Sequence, residues 1–142
     1  MIRSAAGRGI SVLTALGVFA IAIAVLDAAD ARLADASMRG NLEAVRALVQ
    51  QGADVNATQP DGMTALHWAA RRDDVETATL LLKSGAKAEA ATRYGVLPLY
   101  LASVNGSVAM LDLLLKAGAD VNAVSAGGET PLMTAEIGRA HV

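Results

Sequence analysis

The sequence predicts an all-α solenoid, and three observations carry that prediction. Residues 61–90, DGMTALHWAARRDDVETATLLLKSGAKAEA, recur at a constant spacing of 33: Leu66 falls on Leu99, Gly62 on Gly95 and Gly85 on Gly118. One further step takes Gly62 to Gly128 and Leu66 to Leu132, while a backward step brings Leu33, Ala36 and Gly52 under Leu66, Ala69 and Gly85. A fixed period of this length is the mark of a repeat architecture. Second, one apolar stripe returns three times with the spacing of a helix face. It reads Leu42, Val45, Leu48, Val49, then Val75, Ala78, Leu81, Leu82, then Val108, Leu111, Leu114, Leu115. No single unit can hide such a stripe, so stability has to come from stacked neighbours. Third, the chain is 54% apolar but only 3% aromatic. Alanine and leucine supply the bulk, which suits helices packed closely through small residues.

Residues 1–31 stand outside the repeat. Arg3 and Arg8 form a short basic region, residues 10–26 are an apolar run broken by Ser11, Thr14 and Gly17, and Ala29 and Ala31 offer a small-x-small cleavage site. Basic, apolar, then small is the order of a secretory signal peptide. Cleavage after Ala31 starts the mature chain at Arg32, where the first unit begins; residues 22–24 are a second candidate cut. The apolar run is shorter than the about 20 residues of a spanning helix but longer than many signal cores, so retention as a signal anchor is the alternative. With no cysteine in the chain, attachment as a lipoprotein through Cys is excluded. The expected localisation is export to the periplasm or the extracellular space, or inner-membrane anchoring if the run is kept.

The units divide as residues 32–60, 61–93, 94–126 and a truncated fourth at 127–135. The first has no opening turn, and its helices are expected at roughly 31–39 and 42–50 with Gly40 between them. In the second, Thr64 is placed to cap the helix that starts at Ala65. In the fourth, Thr130-Pro131 combines a cap with proline at the first helical position. The third reads Leu97-Pro98, so its helix lacks the capping hydroxyl and starts weaker by about 1 kcal/mol. Gly52, Gly85 and Gly118 are expected to close the second helices in the left-handed conformation. The phrases TALHWAARRDD, GADVNA (at 52–57 and again at 118–123) and GGETPLMTA resemble the ankyrin repeat, over residues 33–135. Two departures stand out. Asp73-Asp74 replaces the family's glycine-led pair between helices, and aspartate tolerates left-handed geometry better than most residues. Glu89 stands where Asn56 and Asn122 stand in the neighbouring loops.

The carboxyl end breaks the register. Glu136 puts a charge where Ala70 and Ser103 are small, and residues 137–142 fit no helix stripe. They back-translate as ATC GGA AGA GCA CAC GTC, a string that resembles a short-read sequencing adapter. Residues 136–142 are therefore expected to be an adapter artefact fused to a truncated gene.

Composition and motifs exclude most chemistry. A net charge of −2 lacks the basic footprint of a nucleic-acid binder. Zero cysteines and two histidines leave no thiolate or imidazole cluster for a metal. Catalysis needs a convergent set of nucleophile and acid–base groups. His67 has no such company, and in the family the histidine of the T-x-L-H start is a structural residue bonded between adjacent units. Asp73, Asp74 and Glu76 read as a solvated turn and helix start. Gly127-Gly128 reads as a repeat turn and Trp68 as packing. No enzyme, cofactor or metal site is expected.

The resemblance implies protein–protein recognition through a concave face built by the turns and first helices. Position by position, it assigns contacts to Met38 and Arg39 in the first unit and to Pro60, Asp61, Met63, Arg71 and Arg72 in the second. In the third it assigns Arg93, Tyr94, Val96, Val104 and Asn105. Arg39, Arg71, Arg72, Arg93 and Tyr94 together suit an acidic, partly apolar partner protein, since arginine and tyrosine favour interface hot spots. Two other readings remain open: the targeting arm of a larger exported enzyme, and a membrane-anchored scaffold.

Overall fold

The computed structural model describes residues 32–125 together with 127, 128, 130 and 131. The signal-like segment, the rest of the fourth unit and the adapter-like tail lie outside the described residues. Among the described residues there are six helices and no strand: α1 (32–39), α2 (Leu42–Gln50), α3 (Ala65–Arg72), α4 (Val75–Lys83), α5 (Pro98–Asn105) and α6 (Val108–Lys116). Helices within a pair are joined by two residues.

Those two residues have a shared logic. The first must turn left-handed to end one helix, and the second must cap the next. Gly40, Asp73 and Gly106 take the turn at φ 70°, 58° and 67°. Asp73 is the one non-glycine at positive φ among the described residues, as its position in the repeat led us to expect. Asn41, Asp74 and Ser107 then accept from the backbone N–H of Ala44, Thr77 and Met110 at 3.0, 3.0 and 3.2 Å. These caps recur 33 residues apart and satisfy donors that a helix start leaves open. Gly52, Gly85 and Gly118 close the second helices at φ 84°, 96° and 96°.

The pairs stack in register. α3 packs on α4 and α5, α5 on α6, and α4 lies between α2 and α6. Leu33, Leu66 and Leu99, one repeat apart, are each no more than 2% exposed. The small row Ala36, Ala69 and Ala102 is buried with them and lets the first helices approach closely. Beneath, Val45, Ala78, Leu81 and Leu114 of the second-helix stripe are buried together with Met110, whereas Val108 and Leu115 of its third copy stay 75% and 40% exposed.

The start of α5 is the weak joint. Leu97 occupies its N-cap with extended backbone and makes no side-chain cap bond, whereas Thr64 accepts from the backbone N–H of His67 at the start of α3. Leu97→Thr is expected to raise the unfolding free energy by about 0.5–1 kcal/mol, the worth of a cap less the apolar contact given up. Guanidinium denaturation measures it, and an unchanged midpoint would mean that the helix start is already satisfied.

Candidate partner-binding face

The units are sewn together by backbone and side-chain hydrogen bonds at the repeat boundaries. On the turn side, Gln59 N–H donates to Met63 O at 2.9 Å and Thr92 N–H to Val96 O at 3.0 Å, closing two equivalent turns. Arg93 N–H then donates to Asp61 O at 3.1 Å, which sets the turns edge to edge. At the far ends of the first helices, Arg72 Nη1 donates to Met38 O at 3.3 Å. Asn105 Nδ2, one repeat later, donates to Ala70 O and Arg71 O at 3.0 and 2.8 Å. The last carbonyls of a helix have no partner within it. Here the following unit supplies one. In the loops, Asn56 Nδ2 donates to Gly85 O at 3.1 Å and Lys87 N–H to Asn56 Oδ1 at 2.8 Å. Glu89, at the equivalent place, has no amide to repeat the first of these.

His67 is the deepest of these ties and is fully buried. Its Nδ1 lies 3.2 Å from Thr64 N and 2.7 Å from Thr64 Oγ1, and its Nε2 lies 3.0 Å from Val96 O. Because Thr64 N–H can only donate, Nδ1 is the acceptor, and the ring proton sits on Nε2 facing the Val96 carbonyl. The ring thus completes a capping box for α3 and bonds the next unit at once. Burial pushes its pKa below 6.5, against the opposing pull of the Val96 and Ala90 backbone and of Asp61. A neutral imidazole committed at both nitrogens is a structural group.

The contact residues expected from the sequence fall into three states. Arg39, Pro60, Asp61, Arg71 and Arg93 are exposed, as are Met38, Tyr94 at 72% and Val104 at 57%, while Val96 is half-buried. Arg72 and Asn105 reach solvent but spend their donors on the carbonyls named above. Met63 is a correction: only 8% exposed, it is unavailable as a surface contact. The turn holds its N–H on Asp61 Oδ1 at 3.0 Å and its carbonyl under Gln59 N–H, so the thioether packs into the stack instead of facing water.

One group on this face escapes sequence reading altogether. Gln59 Nε2 donates to Asp35 Oδ1 at 2.6 Å, and Trp68 Nε1 donates to Gln59 Oε1 at 2.8 Å. The guanidinium of Arg71 lies over the Trp68 ring, 5.4 Å from its centroid. Asp35 and Trp68 are one repeat apart. That spacing was the available signal, but the glutamine that joins them comes from the turn.

With three stacked helix pairs and their cross-unit bonds in place, residues 33–125 match the family model described as ankyrin repeats (3 copies). The chain belongs to the ankyrin-repeat family. A search of curated proteins returns no match. Ankyrin repeats are in general protein–protein interaction modules, and this chain carries their stack. Among the described residues, no group of three or more His, Asp or Glu is placed to hold a metal ion, and no helix is long and apolar enough to cross a membrane.

Proposed function

We propose that the protein is an exported, non-enzymatic binding module. It recognises another protein through the face formed by its turns and first helices. The observation that carries this reading is the state of Tyr94 and Val104. Both stay largely exposed on that face, although Leu99 and Ala102 of the same unit are buried. Exposed tyrosine beside arginine is the composition that interface hot spots favour. The export half rests on the basic–apolar–small order of residues 1–31.

Two charge-altered variants separate this face from the opposite one. Tyr94→Asp with Val104→Asp alters the turn and first-helix face, while Lys83→Glu with Lys116→Glu alters the ends of α4 and α6. Cross-linking in the native host, followed by mass spectrometry, compares what each variant captures. The proposal expects the first pair to lose a partner that the second retains, and the opposite pattern would overturn it. For export, a mature chain starting at Arg32 outside the cytoplasm is expected; an intact Met1 in the cytoplasmic fraction would sink that half.

A further inference from the structure

Resting on the reading of this face as protein-binding, the structure assigns it a chemistry. We propose that Arg71 is a pre-oriented carboxylate receptor at the centre of an apolar–cationic–apolar row, Met38–Arg71–Val104. The row fits an extended segment of a partner protein that carries one acidic residue with an apolar residue three positions to either side.

The row follows from the cross-unit bonds. Arg72 Nη1 on Met38 O and Asn105 Nδ2 on Arg71 O hold residues 38, 71 and 104 at equivalent places on successive first helices. Met38 is 37% exposed and Val104 57%, with the exposed Arg71 between them. Packed helix axes lie about 8–10 Å apart. A polyproline II segment has about three residues per turn and rises about 3.1 Å per residue, so one of its edges returns every ~9 Å. Its residues i, i+3 and i+6 therefore meet one unit each. A β-strand presents a given face every ~6.6 Å and drifts out of step with the stack.

The central guanidinium is held ready. Asp35, Gln59 and Trp68 form a bonded chain across the first two units, and Arg71 lies on the indole at its end. A guanidinium stacked on an aromatic face keeps its N–H edge free for a carboxylate, which it can bind through two parallel hydrogen bonds. Holding it beforehand removes part of the ordering penalty of binding. Nearby charge favours an acid as well. The ion pairs between described residues lie on the second helices, joining Arg46 to Glu43 and Glu76 and Lys116 to Asp112. Arg39, Arg71 and Arg93 are in none of them. Two carboxylates of the same face are already engaged, Asp35 by Gln59 Nε2 and Asp61 by Met63 N–H.

Trp68 is the sole tryptophan of the chain, so its fluorescence reports on this site directly. The probe is a synthetic peptide SGLPPEPPLGS, with SGLPPQPPLGS as its neutral twin, titrated into the full chain up to millimolar concentration. The acidic peptide is expected to give a saturable change in Trp68 emission and to bind at least tenfold more tightly than the twin. In Arg71→Gln that preference should vanish. Arg71→Lys, which keeps the charge but loses the stacked fork, should retain only part of it. Equal binding of the two peptides by the wild-type chain, or no response to either from a chain that circular dichroism shows to be folded, overturns the proposal. If cross-linking remains sensitive to Tyr94→Asp with Val104→Asp, the face reading survives such a result and only its chemistry falls. If it is insensitive, the face reading falls on its own evidence.

Discussion

His67→Ala is expected to destabilise the stack by about 3 kcal/mol, near the upper end of single substitutions. Thr64 N–H loses its acceptor, while Thr64 Oγ1 and the Val96 carbonyl each lose one of two partners and keep the backbone N–H of residue 67 and of Thr92. A buried group left unpaired costs about 1–3 kcal/mol, and the vacated ring volume adds a packing penalty that inflowing water offsets in part. His67→Gln keeps an acceptor for the Thr64 N–H and a donor toward the next unit, and is expected to lose only about 1 kcal/mol. The same pair tests the titration. The folded-state pKa of His67 lies below 6.5, so acid protonates the unfolded chain first. The stabilisation from a neutral His67 is complete above pH 6.5 and is lost as pH falls through that value toward the folded pKa. The slope is at most about 1.4 kcal/mol per pH unit. His67→Gln should lack this component. Guanidinium denaturation across that interval measures it, and parallel slopes for the two proteins would show that His67 does not set the acid limit.

The fold was legible because its determinants lie within one unit and repeat. Thr64 before Ala65, Leu97 before Pro98, and Asp73 at a left-handed corner are local arrangements, and the structure bears out all three. The candidate face was legible only in outline. Arg72 and Asn105 looked like free contact residues because their partners are backbone carbonyls of the preceding unit. A carbonyl leaves no trace in residue type. The trace that did exist was a hydrogen-bond donor at 39, 72 and 105 at the common spacing. Met63 misled for a related reason. Its place beside a turn glycine suggested exposure, yet its equivalent is Val96, and an apolar residue at both sites signals a buried step of the turn. The chain Asp35–Gln59–Trp68–Arg71 draws on two helices and a turn, so no single-unit pattern contains it.

Gly62→Ala is expected to do more damage than the same change at Gly85, although both glycines sit at positive φ, 86° and 96°. At Gly85 an added Cβ meets nothing within 4 Å, so only backbone strain opposes it, about 1–2 kcal/mol. At Gly62 it would lie 2.8 Å from Arg93 N and 3.0 Å from Thr92 Cα. These are backbone atoms and cannot rotate away. Relief requires the third unit's turn to move off the second's, which breaks the Arg93 N–H bond to Asp61 O. That adds about 1–1.5 kcal/mol for the bond and more for the loosened packing, giving roughly 3–4 kcal/mol in all. Comparing guanidinium midpoints of the two variants isolates the steric part, and equal losses would mean that the turns are not held edge to edge. The consequence reaches function, because Arg93 and Tyr94 are carried on the turn that has to move. In Gly62→Ala, partner capture should weaken under conditions where circular dichroism still reports a folded chain, whereas Gly85→Ala should leave it unchanged. A glycine without a side chain thus sets the alignment of two of the face's most exposed contacts.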